Sequence, residues 1–141
     1  MTTMLQFANR HGITIRNEWT DHNENMDPDN NRNMTHWKST LYRYENGSRK
    51  QMTVTFSMGF AHTSEPKADQ VLECLASDAA SIENADTFED WAGELYNLDD
   101  LLYQEAKRLQ RTYNASKRQT DKLRHFLGDL YDTAVWEVEP S

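Results

Sequence analysis

The run Trp37-Lys38-Ser39-Thr40-Leu41-Tyr42-Arg43-Tyr44-Glu45-Asn46-Gly47-Ser48-Arg49-Lys50-Gln51-Met52-Thr53-Val54-Thr55-Phe56 reads as a β-hairpin. Asn46-Gly47 at its centre supplies two residues that tolerate the positive φ angles of a type I′ turn. That turn sets the pairing: Tyr44 opposite Arg49, Leu41 opposite Met52, Ser39 opposite Val54 and Trp37 opposite Phe56. One face then gathers Trp37, Leu41, Met52, Val54 and Phe56. The other gathers Lys38, Thr40, Tyr42, Tyr44, Arg49, Gln51, Thr53 and Thr55, with Arg43 nearby. Turn chemistry and alternation agree on one register, as a real hairpin requires.

Outward toward the N-terminus, Ile13, Ile15 and Trp19 alternate with polar residues after Gly12, which predicts a further strand over about residues 12–20. Met1 to Arg10 has weak helical character. Asp21 to Asn33 is nearly all Asn, Asp, Glu and Pro, and is expected to be a surface loop. Within it Asp21-x-Asn23-x-Asn25 imitates the opening of a calcium loop, but Met26 replaces the turn glycine and Arg32 the closing Glu, so no metal is expected.

Toward the C-terminus, Ser64-Glu65-Pro66 opens a helix over about 66–83, capped by Ser64 or Glu65, with Val71, Leu72, Leu75, Ala79 and Ile82 on one face and Asp69, Glu73 and Glu83 on the far side. Thr87-Phe88-Glu89-Asp90 caps a second helix over about 88–96, with Phe88, Trp91 and Leu95 inward. Asn97-Leu98-Asp99-Asp100 caps a third, over about 98–127, which at 1.5 Å per residue is about 45 Å long. Its apolar stripe holds Leu98, Leu101, Leu102, Leu109, Leu123, Leu127 and Leu130. Between Thr112 and Thr120 the stripe is filled by Thr112, Ser116, Gln119 and Thr120, with Tyr113 at its edge, so the helix middle could project, bend or meet a second helix. Gly128-Asp129 ends it, and a short helix over about 130–136 follows, with Trp136 placed over the core. The expected fold is α+β in one domain, 1–141: an antiparallel sheet of about three strands against three to four helices.

Charge is distributed unevenly. Ala68 to Ala106 contains eleven carboxylates and no Lys, Arg or His, whereas Lys107 to Arg124 contains seven bases and only Asp121 as an acid. Residues 1–67 are near balance, so the net charge of -8 arises in the C-terminal half. The acidic block admits two readings, an ordinary solvated surface favoured by helix dipoles or an anionic surface for a basic partner. On the second reading Asp69, Glu73, Glu83, Asp86, Glu89, Asp90, Glu94, Asp99 and Asp100 form the partner-binding surface. Eleven acids over thirty-nine helical residues give one charge per roughly 5 Å, against one per ~1.7 Å in duplex DNA. A monomer is therefore an incomplete mimic of nucleic acid and a dimer a better one.

The alternative site is the basic face of the long helix, where Lys107, Arg108, Arg111, Arg118 and Lys122 fall within about 100° and would serve nucleic acid. Direct nucleic-acid binding is the less favoured partnership, and through the helix-turn-helix spacing of the two preceding helices it is not expected, because no base occurs from Ala68 to Ala106. The polar hairpin face, with Tyr42, Tyr44, Lys38 and Arg49, interleaves aromatic and basic groups as single-strand platforms do, but reads first as a solvated face.

No catalytic signature is present. The chain has no His-Glu-x-x-His, no glycine-rich phosphate loop and no nucleophile elbow, and His11, His22, His36, His62 and His125 are scattered. Glu105 lies in the apolar stripe and is expected to pair with Arg108 or to stay partly exposed, in preference to an acid/base role. Cys74, the single cysteine, reads as a small buried hydrophobe. No cofactor is expected, no membrane span or secretory signal is visible, and a cytoplasmic location follows.

Trp37-Lys38, Phe56-Ser57-Met58-Gly59, Val71-Leu72-Glu73-Cys74-Leu75-Ala76-Ser77-Asp78-Ala79, Phe88-Glu89-Asp90-Trp91-Ala92 and Phe126-Leu127-Gly128-Asp129 together resemble a family of small acidic proteins of bacteriophages and other mobile elements. The resemblance spans most of the chain from Thr35 and implies no catalytic residues. It implies a context, inhibition of host defence, in which anti-CRISPR proteins are the best-populated class. The resulting expectation is a non-enzymatic inhibitor that binds a host nucleic-acid-processing complex, with a homodimer through the long helix possible.

Overall fold

The computed structural model describes residues 2–24, 33–58, 65–94, 96, 97, 99 and 102–139. The fold is α+β, with a three-stranded antiparallel sheet in the order β1-β2-β3. The chain divides into two compact units, one running to Leu72 and including Glu139, the other Glu73–Val138.

The first unit begins with α1, Met4–Arg10, stronger than its composition suggests because Thr3 and Gln6 form a complete capping box. The Thr3 hydroxyl accepts from the Gln6 N–H at 3.2 Å while the Gln6 amide oxygen accepts from the Thr3 N–H at 3.0 Å. α1 buries Met4, Phe7 and Ala8. β1 spans Thr14–Glu24, β2 Asn33–Glu45 and β3 Ser48–Met58. The β2–β3 pairs Tyr44–Arg49, Leu41–Met52, Ser39–Val54 and Trp37–Phe56 match the register that the turn dictates. Asn46 and Gly47 adopt φ of 51° and 80°, as a type I′ turn demands.

Several expectations change here. Asp21 to Glu24 belong to β1 rather than to a loop, paired with β2 beyond a bulge between Trp19 and Asp21. Asp21 and Asn23 therefore lie on a strand, not on the tight turn of a calcium site, and Asn25 to Arg32 lie outside the described residues. Arg43 sits on the buried sheet face, only 5% exposed, and not beside Tyr42 and Tyr44. The strand period of two requires this, because odd positions of β2 share the face of Trp37, Ser39 and Leu41. Its guanidinium pairs with Glu45 at 3.3 Å, and Glu45 also binds Lys50 at 2.8 Å. Those contacts hold the Glu45 carboxyl below the usual range, the Lys50 hydrogen bond contributing most.

A partly buried polar chain ties the sheet to the segment entering the next helix. Ser39, fully buried, donates to Asn17 Oδ1 at 2.6 Å, and Asn17 Nδ2 donates to the Pro66 carbonyl at 2.8 Å and to Glu65 at 3.3 Å. Glu65 is thus engaged with the sheet and does not cap the helix. α2 spans Ala68–Glu83, and its first free N–H region is served by Gln70, which accepts from the Lys67 N–H at 2.9 Å; Ser64 lies outside the described residues. Val71, Leu72, Leu75, Ala76 and Ala79 are buried and Ile82 partly so, the expected apolar face.

In the second unit, α3 is Phe88–Gly93, shorter than expected, with the Thr87 hydroxyl accepting from the Asp90 N–H at 3.1 Å. Ala85, Trp91, Ala92 and Tyr113 form a buried cluster with Phe88, Ile82 and Leu109 against it. Tyr113 meets Phe88 edge-on at 5.7 Å and Trp91 at 5.4 Å between ring centroids. α4 runs unbroken over Tyr103–Leu127, and its middle does not lack a core contact, because the aromatic ring of Tyr113 fills the place an aliphatic residue would take.

α4 starts five residues later than expected. Asn97 Oδ1 accepts from the N–H of Asp99, a residue in 3-10 conformation, at 3.2 Å, forming a local turn that does not cap α4. Leu102 precedes the helix and is 70% exposed, while Leu98, Leu101, Asp100 and Leu95 lie outside the described residues. Gly128, at φ 54°, ends α4, followed by a 3-10 turn over Gly128–Leu130 and a π-helical turn over Thr133–Glu137. Trp136 is 47% exposed and does not cover the core; Tyr131 and Ala134 are the buried residues of this segment.

Candidate functional site

The acidic side chains differ in how far they are available. Asp69, expected to face solvent, is only 9% exposed, and Glu73 is half-buried and already engaged. Glu83 is bound by Arg124, which also holds Asp121 at 2.9 Å and lies 4.8 Å from the centre of the Tyr131 ring. These contacts raise the Arg124 pKa, the Glu83 hydrogen bond foremost. Tyr131 is pushed up to about 12, by burial first and then by the Glu83 carboxylate. Its hydroxyl is buried close to these charges, yet makes no hydrogen bond of acceptable geometry.

Asp86, Glu89, Asp90, Glu94 and Asp99 are exposed, and their carboxylates form no ion pair among the described residues. Glu89 and Asp90 lie in the first turn of α3, a position that favours anions. Asp100 lies outside the described residues. Of the acids expected on this surface, Asp86, Glu89, Asp90, Glu94 and Asp99 are thus the exposed ones without an ion pair among the described residues.

On α4, Lys107, Arg108, Arg111, Arg118 and Lys122 are all exposed, and none forms an ion pair among the described residues. The Lys107 ammonium lies 4.5 Å from the Tyr103 ring centre, and Lys117, off this face, lies 5.4 Å from that of Tyr113. Glu105 is partly buried but makes no ion pair with Arg108.

The exposed sheet face holds an open hollow of about 260 Å³ lined by Arg16, Glu18, Lys38, Thr40, Tyr42, Gln51 and Thr53. Thr40 and Thr53 bridge its floor at 3.0 Å, Glu18 stands opposite Lys38, and Arg49 covers the Tyr42 ring at 5.1 Å. With that ring face occupied and cation set against anion, the hollow is poorly suited to stack an unpaired base.

Cys74 is exposed, contrary to the expected burial. Its thiol is pushed up by desolvation, then by Asp78 and Glu73, so it is not an activated nucleophile. Local desolvation also raises the Asp78 carboxyl, although the residue as a whole stays exposed. His11 lies against Phe7 and is lowered by burial, Arg10 and Arg43. Among the described residues no three His, Cys, Asp or Glu side chains converge to hold a metal, and no helix is long and apolar enough to cross a membrane.

Sequence patterns did not single out Arg124 as a junction or Asn17 as the link to Pro66. The capping box at Thr3 and Gln6, by contrast, is a recognisable spacing. Comparison with known proteins finds no family pattern that matches the chain and no similar curated protein or solved structure.

Proposed function

We propose that this protein is a non-enzymatic inhibitor of the anti-CRISPR or anti-defence type, carried by a mobile element and acting in the host cytoplasm on a nucleic-acid-processing complex. Its binding surface is the acidic stretch around α3. The observation that carries this reading is that Asp86, Glu89, Asp90, Glu94 and Asp99 are exposed and unpaired among the described residues. Among the described residues none of the seven bases of α4 forms an ion pair with these anions, while Arg124 takes Glu83.

A basic groove evolved for phosphates offers the complementary potential, and such complementarity acts mainly through fast association and exclusion of wrong partners. The charge spacing limits the mimicry to a local patch, enough to occupy a groove and not to imitate a length of duplex.

The test is affinity capture from nuclease-treated bacterial lysate with the wild type and with E89K/D90K/E94K. Nuclease treatment removes bridging through nucleic acid. The expected result is capture of a nucleic-acid-binding protein by the wild type and its loss with the variant. Identical capture by both would remove the acidic surface from the mechanism.

A further inference from the structure

The cations of α4 are sorted by position. Lys107, Arg118, Arg111, Lys122 and Arg108 fall in that angular order within about 100° of the helix, along roughly 22 Å of its length. All are exposed and none is ion-paired among the described residues. The helix's two acids, Glu105 and Asp121, both fall outside this arc, and Asp121 is held by Arg124, a base that also lies outside it.

Such an array has a cost. Lys107 with Arg111 and Arg118 with Lys122 are like-charge pairs four residues apart, which disfavour an isolated helix. The helix carries these repulsions without a compensating acid, which is what a face used for an external anion requires.

We infer that this stripe of α4 is a phosphate-contacting surface for double-stranded nucleic acid, independent of base sequence. A duplex is the favoured occupant for two reasons. It presents one charge per ~1.7 Å, so every cation along the stripe meets a phosphate. Between Lys107 and Lys122 the arc carries no aromatic side chain, and the one ring at its end, Tyr103, already has the Lys107 ammonium against it at 4.5 Å, so the stripe lacks the run of free rings on which single strands stack. The inference goes beyond the acidic surface and does not depend on it, since naked duplex is the ligand.

Fluorescence anisotropy with two unrelated 20-base-pair duplexes between 50 and 200 mM salt tests it, in a range where the Debye length falls toward 8 Å and screens the distant acids. Five contacts give a slope of log K against log salt of about -4.5, a loss of roughly 500-fold over that range, equal for both sequences. R118A lowers the slope by about one, R111K/R118K preserves it, and R111E/R118E/K122E abolishes binding with unchanged helical circular dichroism.

R16E/K38E, an equally exposed reversal on the sheet, leaves binding unchanged. The inference is overturned if the wild type does not bind at 50 mM salt, or if R16E/K38E weakens binding as much as the α4 reversal. It is overturned equally if a single strand of the same length binds more tightly, or if light scattering shows that the stripe joins two copies and excludes the duplex.

Discussion

Arg124 illustrates what a side chain gains from its neighbours. In sequence it is one of seven bases in a row of eighteen residues; in three dimensions it gathers Glu83, Asp121 and the Tyr131 ring. Tyr131 has a raised folded-state pKa, so its contribution to stability is complete below pH 10, its unfolded value, and is lost as pH rises toward about 12. Ultraviolet titration should show one phenol ionising late among the six tyrosines, and Y131F should remove that step. Ser39 provides a second test, because S39A strands the Asn17 oxygen it serves. A loss of about 1–3 kcal/mol is expected from urea unfolding, the cost of a buried acceptor without its donor. Periodicity could not reveal such residues. It assigns Asp69 to an outward angle on α2, but the depth of cover over a position depends on chain segments distant in sequence, and Asp69 proves buried. Arg43 differs, because the strand period alone places it on the face of Trp37 and Leu41.

At the scale of elements, the hairpin was legible because two independent signals, turn residues and alternation, specify the same register. Gly47 has open space around it, so G47A should cost about 1–2 kcal/mol through backbone strain at φ 80° alone, measured as a lower urea midpoint with an unchanged slope. Helix ends were less legible. Asn97 and Asp99 carry capping chemistry, but local side-chain bonding equally stabilises a turn, and that outcome prevails before α4 begins at Tyr103. The polar middle of α4 likewise concealed a core residue, since an aromatic at the stripe's edge reaches farther than its angle suggests. Y113A should destabilise the second unit by about 3–5 kcal/mol and disturb Trp91 fluorescence.

For the whole molecule, the charge asymmetry was plain in the sequence, whereas its division into free and engaged groups was not. Of the nine acids expected to form the surface, Asp69 is buried, Glu73 is engaged and Glu83 is paired, while Asp86, Glu89, Asp90, Glu94 and Asp99 are exposed and without an ion pair among the described residues. The proposed inhibitor therefore acts through a narrower surface than eleven carboxylates suggest, with the cationic stripe of α4 as a separate surface. The most direct measurement follows the captured partner on its own nucleic acid while R111E/R118E/K122E protein is added, so that α4 cannot sequester the nucleic acid. Dose-dependent displacement, lost when E89K/D90K/E94K is added to the same chain, is the predicted result. Retention of the nucleic acid at saturating protein, or equal displacement by both chains, would contradict the account.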